Sequence, residues 1–410
     1  MYDAFYKKII NKYPVYTINK KGKFEELVIW FSCGSMNEKK EEKGYIHMLE
    51  HLLMSLEIND VSFKSFLCDN SISMSERSFF DSMYIYFKAR NDIIMQNLNK
   101  IFEFLFRGLV SSIDVMREKK IIHEERTIRK VDILSLNDEY YQYFWKDGVG
   151  NSILGTNETL KNFNPKCFRS LLNEIMSPDY MSLYYCGGNT QDFRTCIASI
   201  RNKYKIESKL KKLEQISDLN EFFSNSNIEL PKHGEGGKRA VVLYAMGKYR
   251  DRKTALMLSL LSLSLAAGKN GYLVDKFRYE TENLYHIVAK PYFLFNCAYL
   301  EITMYYTVVD FTDIVSSIKE VFSSQEFFNY IDSNIKYIKR DMMDYIELKT
   351  GRGDLMKDFL LFLAKENQIN AADDLCIVNI SNIINNISQK DMFTYIRENI
   401  RDNCCSLILG

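Results

Sequence analysis

The sequence predicts an α+β fold made of two similar domains, each a mostly antiparallel sheet packed with helices. In each half of the 410-residue chain, short apolar stretches show the alternating pattern of strands. Longer stretches with helical spacing separate them. The chain is longer than a domain with a single hydrophobic core usually is. Its 46% hydrophobic residues and only 5 prolines indicate that it is folded. We therefore expect domains at 1–210 and 240–410, joined by a linker at 211–239.

The first half alternates strands with helices. Its predicted elements are strands at 13–20 and 25–34, a short helix after a polar loop, a strand at 82–90, helices at 91–109 and 112–130, and a strand at 178–188. The helix at 91–109 has Asn91 or Asp92 as its expected N-cap. The helix at 112–130 is charged and amphipathic.

The second half repeats this order of elements without detectable sequence identity to the first. A strand is expected at 240–246, an apolar helix at 254–268, and two strands around a turn within 285–306, with mostly helical structure after them. The apolar helix carries three serines and is shorter than the roughly 20 residues that a membrane span needs. No membrane segment is therefore expected.

Charge and cysteine content limit the classes of partner. Lys and Arg number 54 against 53 Asp and Glu, so no overall charge attracts nucleic acid or an acidic membrane surface. The 9 cysteines include no C-x-x-C pair, and the N-terminus has no apolar signal segment. This pattern is typical of reduced thiols and predicts a cytoplasmic protein.

One short stretch carries the chemistry. Residues 44–53, GYIHMLEHLL, contain His47, Glu50 and His51 in the pattern H-x-x-E-H, in a chain with only 5 histidines. Residues four apart share a helix face, so both imidazoles can present a nitrogen to one metal ion. Glu50 lies on nearly the same face, where a general base for a water molecule belongs. Catalytic zinc takes three protein ligands, so a third ligand must come from elsewhere in the chain.

The run REKKIIHEERT offers the missing ligand. Glu118 and Glu125 are seven residues apart and share a helix face, so one can bind the metal while the other holds a ligand or polarises the water. Such a run by itself is more often a solvated charged helix. Together with the histidine pair, it favours a metal site.

The stretch LVIWFSCGSMNEKKEEKGYIHMLEHLLMS resembles the opening of the inverzincin zinc peptidases, which include pitrilysin, insulysin and the mitochondrial processing peptidases. The family's third ligand lies in a pattern like E-[KR]-x-x-[VI]-x-x-E, which this chain matches from Glu118 to Glu125. The resemblance therefore implies a Zn²⁺ site of His47, His51 and Glu125. It implies Glu118 as the partner of a ligand, and Glu124 is the alternative ligand if the register shifts.

A second stretch, GYLVDKFRYETENLYHIVA, is similar to a family segment that grips the substrate backbone. The resemblance implies this role for Arg278 and Tyr285, although an ordinary helix-to-strand junction explains the stretch equally well. The chain departs from the family at Asn283, where a glycine is usual, and near Met74 and Ser75, where an Asn-Ala pair is usual on the substrate-facing edge strand.

The resemblance implies a zinc metalloendopeptidase that cleaves unfolded peptides, with Glu50 moving the proton of the attacking water. Relatives close two halves around a chamber like a clamshell, and this chain has the length of one half. A homodimer, or a heterodimer with a homologous subunit, is therefore expected. Removal of the leader of a ribosomally made, bacteriocin-type peptide is the specific hypothesis, and degradation of short peptides is the broader one. A non-catalytic scaffold or peptide-binding subunit is the alternative from another class.

Overall fold

A computed structural model gives the architecture. It describes residues 5–10, 12–20, 22–131, 152–204, 227–230, 238–248, 251–267, 270–280, Leu284, 286–294, 297–306, 311–351, Lys357, 360–361, 364–365, 377–400 and 404–409. Contacts divide the chain into a first unit of 1–139, 148–213 and 352–376 and a second unit of 140–147, 214–351 and 377–410. Each unit combines one main sheet with helices, which confirms the predicted α+β class.

The first unit is built on a six-stranded sheet. Its strands are β1 (Phe5–Ile10), β2 (Tyr13–Asn19), β3 (Phe24–Phe31), β6 (Ser73–Ser78), β7 (Met83–Arg90) and β8 (Met181–Gly187), and a separate small hairpin is formed by β4 (Glu57–Ile58) and β5 (Val61–Ser62). The order across the sheet is β1-β2-β8-β3-β7-β6, so β6 is an edge strand. Neighbours run antiparallel except β2 and β8, which are parallel.

Helices of the first unit pack on one face of this sheet. They are α1 (Tyr45–Leu52), α2 (Phe63–Asp69), α3 (Ile93–Arg107), α4 (Ser112–Val131), α5 (Asn157–Lys161), α6 (Pro165–Ile175) and α7 (Thr190–Lys203). Alternate residues of β3, Leu27, Ile29 and Phe31, are fully buried in this core. The period-2 pattern of the strand thus fixes which face meets the helices.

The start of α3 differs in detail from the expected cap. Asp92 occupies the N-cap position with φ of 70°, but its side chain makes no capping hydrogen bond. The N–H of Ile94 donates instead to a carboxylate oxygen of Glu25, which is buried on β3. A tertiary contact has replaced the local cap that the sequence suggested.

The short helix α1 is held at its N-terminus by a carboxylate. Both Glu38 oxygens accept hydrogen bonds, one from the N–H of Gly44 and one from the N–H of Ile46, each at 2.7 Å. Gly44 has φ of +88°, and a Cβ there would come within 2.7 Å of the Cα of Gly155. Only a glycine allows this close approach, so α1 begins at a fixed point against the loop that contains Gly155.

The second unit contains a five-stranded sheet and further helices. Its elements are β9 (Asn227–Leu230), β10 (Lys238–Lys248), α8 (Arg252–Leu265), α9 (Tyr272–Val274) leading into a π-helical turn (Asp275–Glu280), β11 (His286–Leu294), β12 (Cys297–Tyr306), α10 (Phe311–Val321), α11 (Gln325–Gly351), α12 (Ile377–Asn386), α13 (Gln389–Asn399) and β13 (Cys404–Leu409). The order is β11-β12-β10-β13-β9, antiparallel except for β13 and β9.

The predicted elements of the second half are confirmed with one omission. The helix at 254–268 and the strands at 240–246 and 285–306 are present as α8, β10, β11 and β12. The expectation of mostly helical structure after these strands missed β13, which pairs with β10 and β9. Its apolar run of six residues is too short for periodicity to separate a strand from a helix. The strand β9 lies within the linker expected at 211–239, and the predicted domain limits stay a prediction.

Within the described ranges, no helix combines the length and apolar character needed to cross a lipid bilayer. The cysteines whose side chains are described carry free thiols: Cys33, Cys68, Cys167, Cys186 and Cys196.

Replacing Glu38 with Ala should destabilise the first unit, because the N–H groups of Gly44 and Ile46 lose their acceptors. We expect the free energy of unfolding to fall by about 2–3 kcal/mol, measured by urea denaturation. The matched control is Glu41→Ala in the same segment, where the side chain is exposed. Equal stability of the two variants would contradict a structural role for the Glu38 carboxylate.

Candidate metal centre

Three potential ligand atoms converge between α1 and α4. The Nε2 atom of His47 lies 3.2 Å from Nε2 of His51 and 3.1 Å from Oε2 of Glu125. The third distance, from Nε2 of His51 to Oε2 of Glu125, is 3.4 Å. His47 is buried, and the other two are partly buried. The structure therefore brings together the three residues that the sequence suggested as ligands.

The spacing of these atoms fits a tetrahedral metal ion. Zinc binds histidine nitrogen and carboxylate oxygen at about 2.0–2.2 Å, which places two ligand atoms of a tetrahedral site about 3.3–3.6 Å apart. The observed distances of 3.1, 3.2 and 3.4 Å are near the lower end of this range, so small movements of the side chains would accommodate the ion. Without a metal ion, the two facing ring nitrogens can share one proton as an N–H···N hydrogen bond. A cation bound between them would instead accept both lone pairs.

The third member of the motif, Glu50, is fixed by the edge strand. Its Oε2 accepts hydrogen bonds from the backbone N–H of Ser78 at 2.7 Å and from the Ser78 hydroxyl at 2.5 Å. The same hydroxyl lies 3.1 Å from Nδ1 of His47. With Nε2 of His47 free to bind a metal, Nδ1 carries the proton and donates toward Ser78. Ser78 thus orients a ligand and the candidate base together.

The protonation of this pair follows from its surroundings. Burial by itself would raise the pKa of Glu50, but the hydrogen bonds with His47 and Ser78 outweigh it and hold the pKa below its ordinary value. Burial would lower the pKa of His47, yet hydrogen bonds with Glu125 and Glu50 raise it to about 9. Without a metal ion, a proton on His47 therefore compensates the surrounding carboxylates.

The other ligand, His51, is oriented from α4. Its Nδ1 lies 3.2 Å from Oε2 of Glu118, a carboxylate that is itself buried. The second oxygen of Glu118 accepts a hydrogen bond from Nε of Arg117 at 3.1 Å. A carboxylate behind a ligating histidine fixes the ring orientation and makes the imidazole a stronger ligand.

A loop links α4 to the start of α1. The guanidinium of Arg126 donates to the carbonyl of Leu154 at 3.0 Å and to Oδ1 of Asn157 at 2.7 Å. From the same segment, the hydroxyl of Thr159 donates to the carbonyl of Lys43 at 2.7 Å, just before α1 begins. Because Arg126 follows the candidate ligand directly in sequence, these contacts set the distance between the histidine pair and Glu125.

Glu124, Arg278 and Tyr285 are the other residues that the sequence analysis named for the site. Glu124 is exposed, and it does not belong to the cluster of potential ligands found in the described residues. The geometry therefore favours Glu125 over the alternative ligand Glu124, because the rotation of α4 directs Glu125 to the histidines. Arg278 belongs to the second unit and stacks on the ring of Tyr279, with its guanidinium 5.6 Å from the ring centre. Tyr285 lies outside the described residues.

Two residues that the sequence analysis did not select contribute to the site. Ser78 lies 28 positions from Glu50, on a strand whose place at the sheet edge only the tertiary structure reveals. Glu38 supports α1 from an irregular segment. An acidic residue shortly before a helix start was an available signal for Glu38, whereas nothing in the local sequence marked Ser78.

Comparison with known proteins agrees with this geometry. Residues 14–157, which contain the whole cluster, match the insulinase family, peptidase family M16. Over 196 residues the chain is 22% identical to the uncharacterized zinc protease YmxG of Bacillus subtilis, an alignment that covers 46% of this chain and 47% of that protease. The chain thus spans about half the length of this curated relative. Over the matched region the chain is similar to the M16 peptidases, which agrees with the resemblance drawn from the motif.

Solved structures share the fold along nearly the whole chain. A protease from Helicobacter pylori has a TM-score of 0.79 and 14% identity, covering 99% of both chains. A peptidase M16 inactive domain from Pseudomonas fluorescens has a TM-score of 0.83 and 11% identity, covering 100% of this chain and 98% of that one. A putative M16-like peptidase from Alicyclobacillus acidocaldarius has a TM-score of 0.76 at 11% identity, with the same coverage. At these identities, the similarity shows the fold alone.

Zinc affinity should increase with pH, because His47 must lose its proton before Nε2 can bind a metal. The pKa of about 9 in the metal-free protein lies above the ordinary value of 6.5, so the proton is present throughout the neutral range. We expect the apparent affinity to rise about tenfold per pH unit from this proton. Titration against a competing chelator between about pH 6.5 and about pH 8.5 measures the slope. An affinity independent of pH would contradict this assignment.

Replacing Glu118 with Ala should weaken zinc binding by about 10- to 100-fold, since Nδ1 of His51 loses its acceptor. Glu124→Ala is the matched control, because this carboxylate is exposed on the same helix. Competition titrations with a chelator measure both variants against the wild type. If the two variants bound zinc equally, Glu118 would have no part in orienting His51.

Proposed function

We propose that this protein is a zinc-dependent metalloendopeptidase that cleaves unfolded peptides. The observation that carries the proposal is the convergence of His47, His51 and Glu125 on one point, with Glu50 fixed beside them. A set of two imidazoles and one carboxylate suits catalytic zinc and leaves a position for water or substrate. The family assignment of residues 14–157 supports the same chemistry.

The proposed roles follow from the geometry of each group. Zinc, when bound to His47, His51 and Glu125, would supply Lewis-acid polarisation of the peptide carbonyl and of the attacking water. Glu50 accepts the proton of that water and then delivers it to the leaving amine. Its lowered pKa keeps it ionised before the reaction, and its hydrogen bonds to Ser78 hold one carboxylate oxygen in place.

A peptide substrate has a natural binding surface at β6. This strand is at the edge of the sheet and carries Ser78, which contacts Glu50. An extended peptide can add to such an edge through main-chain hydrogen bonds, which recognise the backbone rather than a particular sequence. Only an unfolded chain offers its backbone in this way, so the substrate class is unfolded peptides.

The proposal also covers the partners of the protein and its biological substrate. We infer a dimer, with itself or with a homologous subunit, in which Arg278 and Tyr285 bind the substrate backbone, as the family resemblance implies. The proposed location is the cytoplasm. Removal of the leader of a ribosomally made, bacteriocin-type peptide is the specific hypothesis for the substrate, and general oligopeptide degradation is the broader one.

A non-catalytic, peptide-binding subunit is the second candidate function. One solved structure with the same fold is described as an inactive domain, so the fold alone does not imply catalysis. The retained set of His47, Glu50, His51 and Glu125 favours the enzyme. Less than one equivalent of zinc in purified protein, together with no chelator-sensitive hydrolysis, would favour the non-catalytic subunit.

Replacing Glu50 with Gln should abolish peptide hydrolysis while zinc remains bound, because the amide cannot accept the proton but is not a metal ligand. We expect a loss of at least about 100-fold in kcat/KM, measured with a fluorogenic peptide, and one zinc per chain by elemental analysis. Glu41→Gln, at an exposed position, serves as the control. Wild-type turnover by the Glu50 variant would remove Glu50 from the mechanism.

A further inference from the structure

Glu76 lies on the edge strand beside the proposed active site. In the pairing of β6 with β7, Glu76 is opposite Ile85 and Ser78 is opposite Met83, and both Ile85 and Met83 belong to the buried core. Glu76 therefore shares the face of β6 on which Ser78 reaches Glu50 and against which α1 packs. Two residues along a strand correspond to about 6–7 Å, so the two side chains are neighbours.

The electrostatic environment of Glu76 agrees with the position that the strand register gives it. Burial raises the pKa of Glu76, the negative charge of Glu50 adds to the rise, and His51 and Lys357 oppose it. These interactions with Glu50 and His51 are consistent with the shared strand face, on which Ser78 contacts Glu50. The side chain is half-buried, so it is partly removed from water but remains reachable.

Among the described residues, no hydrogen-bond donor reaches the Glu76 carboxylate. The lysine whose charge acts on Glu76, Lys357, makes its contacts on the opposite face of the strand. Its Nζ donates to the hydroxyl of Ser75 at 2.6 Å and lies over the rings of Tyr84 and Tyr86, at 5.3 and 5.0 Å from their centres. Partial burial without a donor is unfavourable for a carboxylate, which leaves Glu76 disposed to bind a cation.

The other carboxylates of the centre have partners of their own. Glu50 accepts two hydrogen bonds from Ser78, and Glu118 bonds with Arg117. Glu125 faces the two histidines as a candidate ligand, and a divalent ion bound there would compensate its negative charge and that of Glu50. Glu76 thus adds negative charge to the side of the site that a peptide bound along β6 would meet.

We propose that Glu76 selects peptide substrates that carry a lysine or arginine side chain opposite it, close to the scissile bond. This inference rests on the proposed peptidase function and adds its charge specificity. On a peptide paired with β6, the residue directly opposite Glu76 has its Cβ about 4.5–5.5 Å from the Glu76 Cβ. At that distance the ammonium or guanidinium group of a long side chain forms an ion pair with the carboxylate, in a site partly shielded from water.

The test compares fluorogenic peptides that are identical except for Lys, Gln or Glu at a single position, scanned along both sides of the cleaved bond. For the zinc-loaded wild type, we expect one position at which kcat/KM is about tenfold higher with Lys than with Gln, and lower again with Glu. Glu76→Gln should bring the Lys-to-Gln ratio at that position to about 1, and Glu76→Lys should reverse the preference in favour of Glu.

Glu57→Gln is the control, because this exposed carboxylate belongs to the separate hairpin and should leave the ratio unchanged. Reversal of the preference by Glu76→Lys is a result that simple loss of structure cannot produce. The inference is overturned if the wild type prefers no charge at any position. It is equally overturned if the preference for Lys persists in Glu76→Gln.

A binding measurement separates this inference from the proposed function. Fluorescence anisotropy with labelled Lys and Gln peptides is carried out on Glu50→Gln and on the Glu50→Gln, Glu76→Gln double variant. Selective binding of the Lys peptide that is lost in the double variant supports the role of Glu76, even if the wild type hydrolyses nothing and the peptidase proposal fails. If the wild type hydrolyses peptides but neither hydrolysis nor binding depends on the charge of the peptide, the peptidase proposal holds and the role of Glu76 is overturned.

Discussion

The meeting of two imidazoles from α1 with one carboxylate from α4 is the constraint on which the rest of the site depends. The helix α1 has only eight residues, too few to keep its direction without tertiary support. Its start is fixed by the Glu38 carboxylate and by the close approach of Gly44 to Gly155. The same loop binds Arg126 of α4, so one short segment sets the separation of the helices. The ligand distances therefore result from backbone packing outside the metal centre.

The sheet contributes the second part of the site through its edge strand. Ser78 contacts both Glu50 and His47, so the proposed base and a candidate ligand depend on the register of β6 against β7. A shift of one residue would turn Ser78 and Glu76 to the opposite face, where Lys357 lies. The edge strand thus connects the surface available to a peptide with the residues that carry out the chemistry.

The fold does not by itself establish activity. Structures with the same architecture include one described as an inactive domain, at 11% identity over nearly the full length. What distinguishes an enzyme from a binding subunit on this scaffold is the set of side chains at the meeting of α1, α4 and β6. In this chain those side chains form a complete donor set with ordered partners, and this is why the peptidase is favoured over the scaffold.

The sequence by itself determined the elements whose residues are local: the helix with His47, Glu50 and His51, the helix with Glu118 and Glu125, and the strands that alternate clearly. Helical periodicity places residues four or seven apart on one face whatever the surroundings. Only the tertiary structure decided between Glu124 and Glu125, because the rotation of α4 depends on its packing. It also brought in Ser78, Glu76 and Glu38, and it paired β13 with distant strands. These choices rest on contacts between residues far apart in the chain, which no local pattern records.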